Sequence, residues 1–441
     1  MTESSTSDTD EFRTDPKATR RHLLQIAAGI GVGTLLETGQ VEASTTGGDE
    51  QWTFRTGGIV RSSPTVVDDT VFVGSFDGNV YALNADTGDE QWQFETSGAI
   101  NSSPAVVDGT VFVGSTNDHV YALDAATGDE HWHFETGDEH WFSSTSGSVF
   151  SSPTVADGTV FIGSADNHVY ALDAETGDVY WHFETDDFVG SSPTVTDATV
   201  FVGSDDDNVY ALDAETGDVY WHFETDDYVR SSPTVKDATV FVGSDDDNVY
   251  ALDAETGDVY WHFETSGSIN SSPTVMDGTV FVGSLDNNVY ALDAETGDEY
   301  WRFETGRWVY SSPTVADGTV LVGSHDRNVY ALDSTTGDVY WYFEIGDWIR
   351  SSPTVGDGTV FVGSEDRNVY ALDAGVEGSS ECSRTRLGTL GHHDELATAD
   401  EEIDIEEATD EQLPGFGAGS ALASIGTAGY LLKRRLDGFD G

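Results

Sequence analysis

Acidic residues outnumber basic ones 81 to 18 in this chain of 441 residues, for a net charge of −63. That imbalance excludes a general electrostatic grip on nucleic acid or on an anionic membrane surface. It suits solubility in concentrated salt, where the Debye length falls to about 3 Å and a dense carboxylate surface is screened from itself, so a halophilic archaeon is the expected source. The single cysteine, Cys382, excludes an internal disulfide and any paired-cysteine metal or haem motif.

Residues 1–19 are polar, and "TRRHLLQIAAGIGVGTLL" follows, two arginines ahead of a modestly apolar run. "VEA" at Val41–Ala43 suits a small-residue cleavage site. The stretch from Thr19 to Leu24 resembles the twin-arginine export signal, whose cargo crosses the membrane already folded. Residues 1–43 are therefore expected to be a signal peptide, with Arg20 and Arg21 as its arginine pair and Ala43 at the processing point.

Residues 44–374 read as one repeat domain. "SSPTV" or "SSPAV" begins at Ser62, Ser102, Ser151, Ser191, Ser231, Ser271, Ser311 and Ser351, at a spacing of 40 residues with one step of 49. Forty residues is the length of a four-stranded propeller blade. Within the unit from Ser231, the proline of "SSPTV" marks an edge strand. "TVFVG" is a β-branched run fit for burial on both faces, "VYALD" is a third strand, and "VYWHFE" carries Trp261 and Phe263 on one side. The last head runs into "GVEGSS" without a fourth strand, while "GGDEQWTFRT" at 47–56 is a fourth strand without a head. Joined, they complete an eighth blade. The expected fold is all-β: an eight-bladed propeller of four-stranded antiparallel blades, its ring closed by the N-terminal strand. An open solenoid would want polar caps, and none is present. The 49-residue step comes from "GDEHWHFET" at Gly128 being followed by "GDEHWFSST" at Gly137, which adds His140, Trp141 and Phe142 to a loop between blades.

Residues 375–412 are rich in Asp, Glu, Ser and Thr and poor in large apolar residues, the composition of a disordered acidic spacer. Leu413 to Leu432 is uncharged over 20 residues, about the length that crosses a bilayer, and Lys433, Arg434 and Arg435 put that end on the cytoplasmic side. Pro414-Gly415-Phe416 before an apolar segment and a basic tip resembles the archaeal PGF-type sorting signal. In that family a membrane peptidase removes the segment and a lipid anchors the protein. Residues 413–441 are thus expected to act as a sorting signal or membrane segment. Together the two ends imply an exported, membrane-tethered protein at the cell surface.

"ALDAETGDVYW" resembles the repeat of the pyrroloquinoline quinone (PQQ) dehydrogenases: Ala251, Asp253, Thr256, Gly257 and Trp261 carry the match, and it recurs through residues 47–374. The resemblance implies an eight-bladed disc in which each tryptophan docks on the neighbouring blade. It does not imply one chemistry, since the same propeller serves as a non-enzymatic lipoprotein of outer-membrane assembly and as a sensor module. The quinone enzymes use a vicinal disulfide, a calcium cage and a catalytic aspartate on long insertions. The propeller here holds no cysteine, and its one insert is nine residues long. The aspartates at 205–207 and 245–247 read as acidic turns, and the histidines recurring at His182, His222 and His262 read as surface residues. The expected role is a non-enzymatic binding or scaffold protein acting as a monomer, without cofactor or metal. The alternatives are a PQQ-dependent dehydrogenase with calcium and a structural cell-wall component.

One sector is differentiated. The propeller's nine basic residues are Arg55, Arg61, Arg230, Lys236, Arg302, Arg307, Arg327, Arg350 and Arg367, and residues 62–229 hold none. Seven fall in the arc from Arg302 around to Arg61. Scattered surface arginine is the plainer reading. Arginine beside Trp308, Tyr310 and Trp348, however, suits a planar anion held by bidentate hydrogen bonds and stacking. The candidate ligand-binding residues are Arg61, Arg307, Trp308, Tyr310, Arg327, Trp348, Arg350 and Arg367. The expected ligand is an acidic glycan or a carboxylate, and the alternative partner is a surface protein.

Overall fold

The computed structural model describes residues 47–137, 147–196 and 198–376. The expectations for the signal peptide with Arg20, Arg21 and Ala43, for His140, Trp141 and Phe142, for Cys382, and for Pro414, Gly415 and Phe416 lie outside the described residues.

Eight four-stranded antiparallel sheets follow one another around a ring. Blades 1–7 run in chain order from Thr65 to Glu344. Blade 8 takes its three inner strands from Thr354–Gly356, Thr359–Gly363 and Asn368–Asp373, and its outer strand from Glu50–Arg55. In each blade the second strand has no polar alternation because both of its faces meet neighbouring blades. In Thr239–Gly243, all but the first residue are buried.

The repeat motif is a set of joints between blades. At the inner end, the backbone N–H of the second serine of each "SSP" donates to the hydroxyl of its counterpart in the next blade, and this chain of bonds closes the full circle. The first serine's hydroxyl accepts the N–H of the glycine ending the second strand, as Gly243 does with Ser231. Proline fits between them because its missing N–H is not needed there, while its carbonyl accepts the threonine hydroxyl of the preceding blade. Ala105 stands where the other blades have that threonine, so the bond to Pro153 is missing.

At the outer end, each fourth-strand tryptophan donates its Nε1–H to a carbonyl of the next blade: Trp261 to Ala294 at 3.1 Å, Trp301 to Ser334 at 3.0 Å. The glycine of "TGD" lies flat beneath that ring. A Cβ on Gly297 would come 2.7 Å from Trp261, and the residue's φ of +75° is itself one that glycine adopts freely. Thr-Gly and Trp are therefore one contact written in two places.

Ring closure repeats these joints across the ends of the domain. Trp52 pairs with Ala371 and Arg55 with Asn368. Trp52 Nε1 reaches the Ala85 carbonyl of blade 1 at 2.7 Å, and its ring lies 5.8 Å from that of Phe361 in blade 8. Even the broken turn is rebuilt. Gly48 N–H donates to the Asp373 carbonyl and Asp373 N–H to the Asp49 carbonyl, the pattern that Gly88, Asn84 and Asp89 make within blade 1. Gly48 lies under Trp341 as Gly88 lies under Trp52. Val376, the last described residue, still packs against the cluster shared by blades 7 and 8.

Candidate functional site

The loops between blades and the turns between second and third strands meet on one face, as the bond from Phe76 N–H to the Ile59 carbonyl shows. Each loop presents variable side chains there, and each turn contributes the residue after its buried serine.

In the arc of blades 7, 8 and 1 these side chains form a continuous column. Arg350 lies over the Tyr310 ring at 4.4 Å. Tyr310 stacks on His325 with centroids 4.7 Å apart. His325 stacks on Trp348 at 4.8 Å with an interplanar angle of 8°, and Arg307 caps Trp348 at 5.6 Å. Trp308 meets the column edgewise, 6.3 Å from Tyr310, and is 43% exposed.

Charge and burial are in tension here. Arg61 Nε donates to Glu365 Oε1 at 2.9 Å. Arg350 Nε stands 3.3 Å from the same oxygen, out of line for a hydrogen bond, and is buried without one. Two guanidiniums thus share one carboxylate oxygen. Burial and the neighbouring Arg61 hold the Arg350 pKa below its usual value. His325 is almost fully buried, and neither ring nitrogen has a hydrogen-bond partner. Burial and the charges of Arg350, Arg307 and Arg61 pull its pKa down to about 4, so near neutral pH the ring is uncharged and serves as a stacking element.

Of the eight candidate residues, Arg61, Arg307, Trp308, Tyr310, Trp348 and Arg350 come together. Arg327 and Arg367 do not join the column. They occupy the left-handed position of their turns, at φ of 78° and 75°, where Gly78 and Asn287 stand in other blades. Arg327 pairs with Glu344 on its own outer strand at 3.4 Å, and Arg367 is exposed. Across the ring, Arg230 is fully engaged, with Asp205 taking its Nε and one terminal nitrogen and Asp245 the other.

His325, Glu365 and Phe76, the last lying 4.9 Å under Arg61, were not among the residues expected from sequence. A signal existed: the residue after the turn serine reads Phe76, Thr116, Ala165, Asp205, Asp245, Leu285, His325 and Glu365, one of the most variable positions of the repeat.

A calcium ion of the kind the quinone enzymes hold takes six to eight oxygen ligands. No group of three or more His, Cys, Asp or Glu side chains gathers at ligand spacing among the described residues. Glu365, the carboxylate between Arg61 and Arg350, is taken by both, and the middle aspartate of "DDD" is spent on its own turn, Asp206 accepting from Tyr210 and from Asn208. The carboxylates described at this face do not fit that ion.

The chain matches the family described as outer membrane protein assembly factor BamB over residues 37–137, 133–188, 187–273 and 309–379. Similar solved structures include BamB from Moraxella catarrhalis, at 20% identity and a TM-score of 0.64 over 74% of this chain and 99% of that one. A computationally designed protein, Ika8, is 17% identical with a TM-score of 0.66, over 74% and 100% of the two chains. A europium-containing methanol dehydrogenase is 15% identical with a TM-score of 0.64, over 74% and 93%. At these identities the likeness carries the fold. No curated protein matches the chain.

Proposed function

We propose, from the premise that the chain belongs to the PQQ-like propeller family described as outer membrane protein assembly factor BamB, that it is a non-enzymatic binding protein whose ligand sits on the variable face over blades 7, 8 and 1. The fold alone does not decide this, because an assembly factor and a methanol dehydrogenase share it. The observation that carries the reading is the shared oxygen: Arg61 and Arg350 converge on Glu365 with one carboxylate fewer than their charges call for, while the single guanidinium of Arg230 pairs with both Asp205 and Asp245. A bound anion completes the first cluster and would be redundant at the second. Guanidinium pairs take carboxylates, phosphates and sulfates in bidentate fashion, and the exposed Trp308 ring beside them offers an apolar face to a sugar or another ring. An acidic glycan or other carboxylate is the ligand class, and direct contact must supply the affinity because salt screens steering over distance.

The same reading puts the propeller outside the cell, tethered at its C-terminus. Its support is the arginine pair at Arg20 and Arg21 and the Pro414-Gly415-Phe416 motif.

The test is a glycan and carboxylate array in molar salt. Arg61→Ala with Arg350→Ala is expected to abolish binding, and Arg230→Ala with Lys236→Ala to leave it nearly intact. An array without an acidic binder, or a ligand mapped to blades 2–4, would overturn the assignment.

A further inference from the structure

A different cluster lies at the outer edge of blades 2 and 3. There the third strand begins with histidine, in His119–Asp124 and His168–Asp173, where the other six blades begin it with asparagine. The fourth strand places a second histidine on the same face, because Tyr121 pairs with His133 and Tyr170 with His182, and residues two apart on a strand share a face. The ring centroids of His119 and His133 are 5.2 Å apart, and those of His168 and His182 are 5.3 Å apart. Blades 4 and 5 carry the fourth-strand histidine alone, as His222 and His262, beside third strands that begin with Asn208 and Asn248.

The preceding turn sets how these rings stand. Asn208 Nδ2 donates to the Asp206 carbonyl at 2.9 Å, and Asn248 Nδ2 to the Asp246 carbonyl at 3.0 Å. His119 Nδ1 makes the same contact with the Asn117 carbonyl at 2.8 Å, and His168 Nδ1 with the Asp166 carbonyl at 2.9 Å. A carbonyl only accepts, so Nδ1 carries the hydrogen and the lone pair of the neutral ring sits on Nε2. His133 Nδ1 lies 2.7 Å from Glu130 Oε1, and this carboxylate fixes the second ring in the same tautomer. Tyr121 stacks on His119 at 5.7 Å with an interplanar angle of 23°. An Nδ1 partner of this kind orients a metal-ligating histidine and raises the basicity of its Nε2.

We propose that His119 and His133 bind a divalent zinc ion through their Nε2 atoms, with Glu130 positioning the second ring and water completing the shell, and that His168 and His182 form a weaker copy of the site. The spacing favours zinc. With Zn–N at about 2.0–2.1 Å a ring centroid stands about 3.2 Å from the metal, so two rings at the tetrahedral angle are about 5.2 Å apart, against about 4.5 Å at a square-planar right angle. Both pairs have the tetrahedral spacing. The copy in blade 3 is the weaker because Val179 stands where blade 2 has Glu130. Imidazole nitrogen also separates zinc from the magnesium and calcium that carboxylate oxygens take, and a coordinate bond made at direct contact survives the screening of concentrated salt.

The test is a zinc titration of the full chain in molar potassium chloride, with excess magnesium to occupy exposed carboxylates, followed by calorimetry and by the nuclear magnetic resonance signals of the histidine rings. His119→Asn with His168→Asn is expected to remove one zinc equivalent per pair. Asparagine opens the same strand in six blades, so the propeller is expected to stay folded. His222→Asn with His262→Asn, which removes histidines that have asparagine at the partner position, is expected to leave the zinc count unchanged. Glu130→Ala keeps both ligands of blade 2 and is expected to weaken that site by roughly 10–100-fold. A zinc count unchanged in the first variant, an equal loss in the second, an affinity that Glu130→Ala leaves untouched, or Nε2 signals of His119 and His133 that do not move with zinc would each overturn the proposal.

Discussion

Trp52 and Phe361 are 309 residues apart in sequence and 5.8 Å apart in space, and their coupling measures whether the ring is shut. Trp52 is 8% exposed. Replacing it with alanine removes a buried aromatic, worth about 3–5 kcal/mol, and leaves the Ala85 carbonyl without its donor, for roughly 1 kcal/mol more. That loss alone does not prove closure, since Ala85 belongs to the adjacent blade 1. The cycle of Trp52→Ala, Phe361→Ala and the double variant does. An aromatic pair in this geometry contributes about 0.5–1.5 kcal/mol beyond its buried area, and two residues in contact show coupling of that order. Trp92 and Phe72 form the same pair at 5.8 Å entirely within one end of the chain, so they serve as the internal standard. Chemical denaturation at fixed molar salt gives the four free energies of each cycle. Equal coupling in both cycles is the expected result. Coupling for Trp92 and Phe72 with none for Trp52 and Phe361 would refute ring closure.

Other outcomes follow from single residues. His325, whose folded pKa is pulled to about 4 against roughly 6.5 unfolded, binds its proton more readily in the unfolded chain. Stability should therefore rise with pH across about 4 to 6.5, by up to roughly 3 kcal/mol, and His325→Phe should flatten that part of the profile; an unchanged slope in the variant would refute the assignment. Ala105→Thr restores the hydroxyl that seven other blades use toward a proline carbonyl, with an expected gain of about 0.5–1.5 kcal/mol, read as a higher denaturation midpoint. A lower midpoint would mean that the hydroxyl cannot reach Pro153. Arg20→Lys with Arg21→Lys is expected to retain the protein inside the cell, as followed by fractionation. Protease added to intact cells should cut the unmodified protein between residues 375 and 412; resistance there counts against the surface position.

The architecture was legible in the sequence because it rests on contacts that every blade repeats. The "SSP" heads, the "TGD" glycines and the tryptophans recur at a fixed period, so eight copies state the same joint, and an orphan tail at 47–56 opposite an orphan head at 351–374 leaves only one way to complete the last blade. Most of the basic sector was legible too, because composition alone separates residues 62–229 from the rest. What the sequence could not show is how side chains from different repeats meet. His325 and Glu365 lie outside the inter-blade loops, and only the juxtaposition of one blade's turn with the next blade's loop sets His325 between Tyr310 and Trp348, and Glu365 between Arg61 and Arg350. The backbone sets Arg327 and Arg367 apart from the column: both occupy the positive-φ position of their turns, a matter of dihedral angle that residue type does not record. Gly356 makes the same point in reverse. In sequence it is one small residue at a variable position, and only the packing of blade 8 on blade 1 brings it so near Val66 that an added Cβ would come 2.9 Å from Cγ1, because a close approach belongs to the two surfaces that make it.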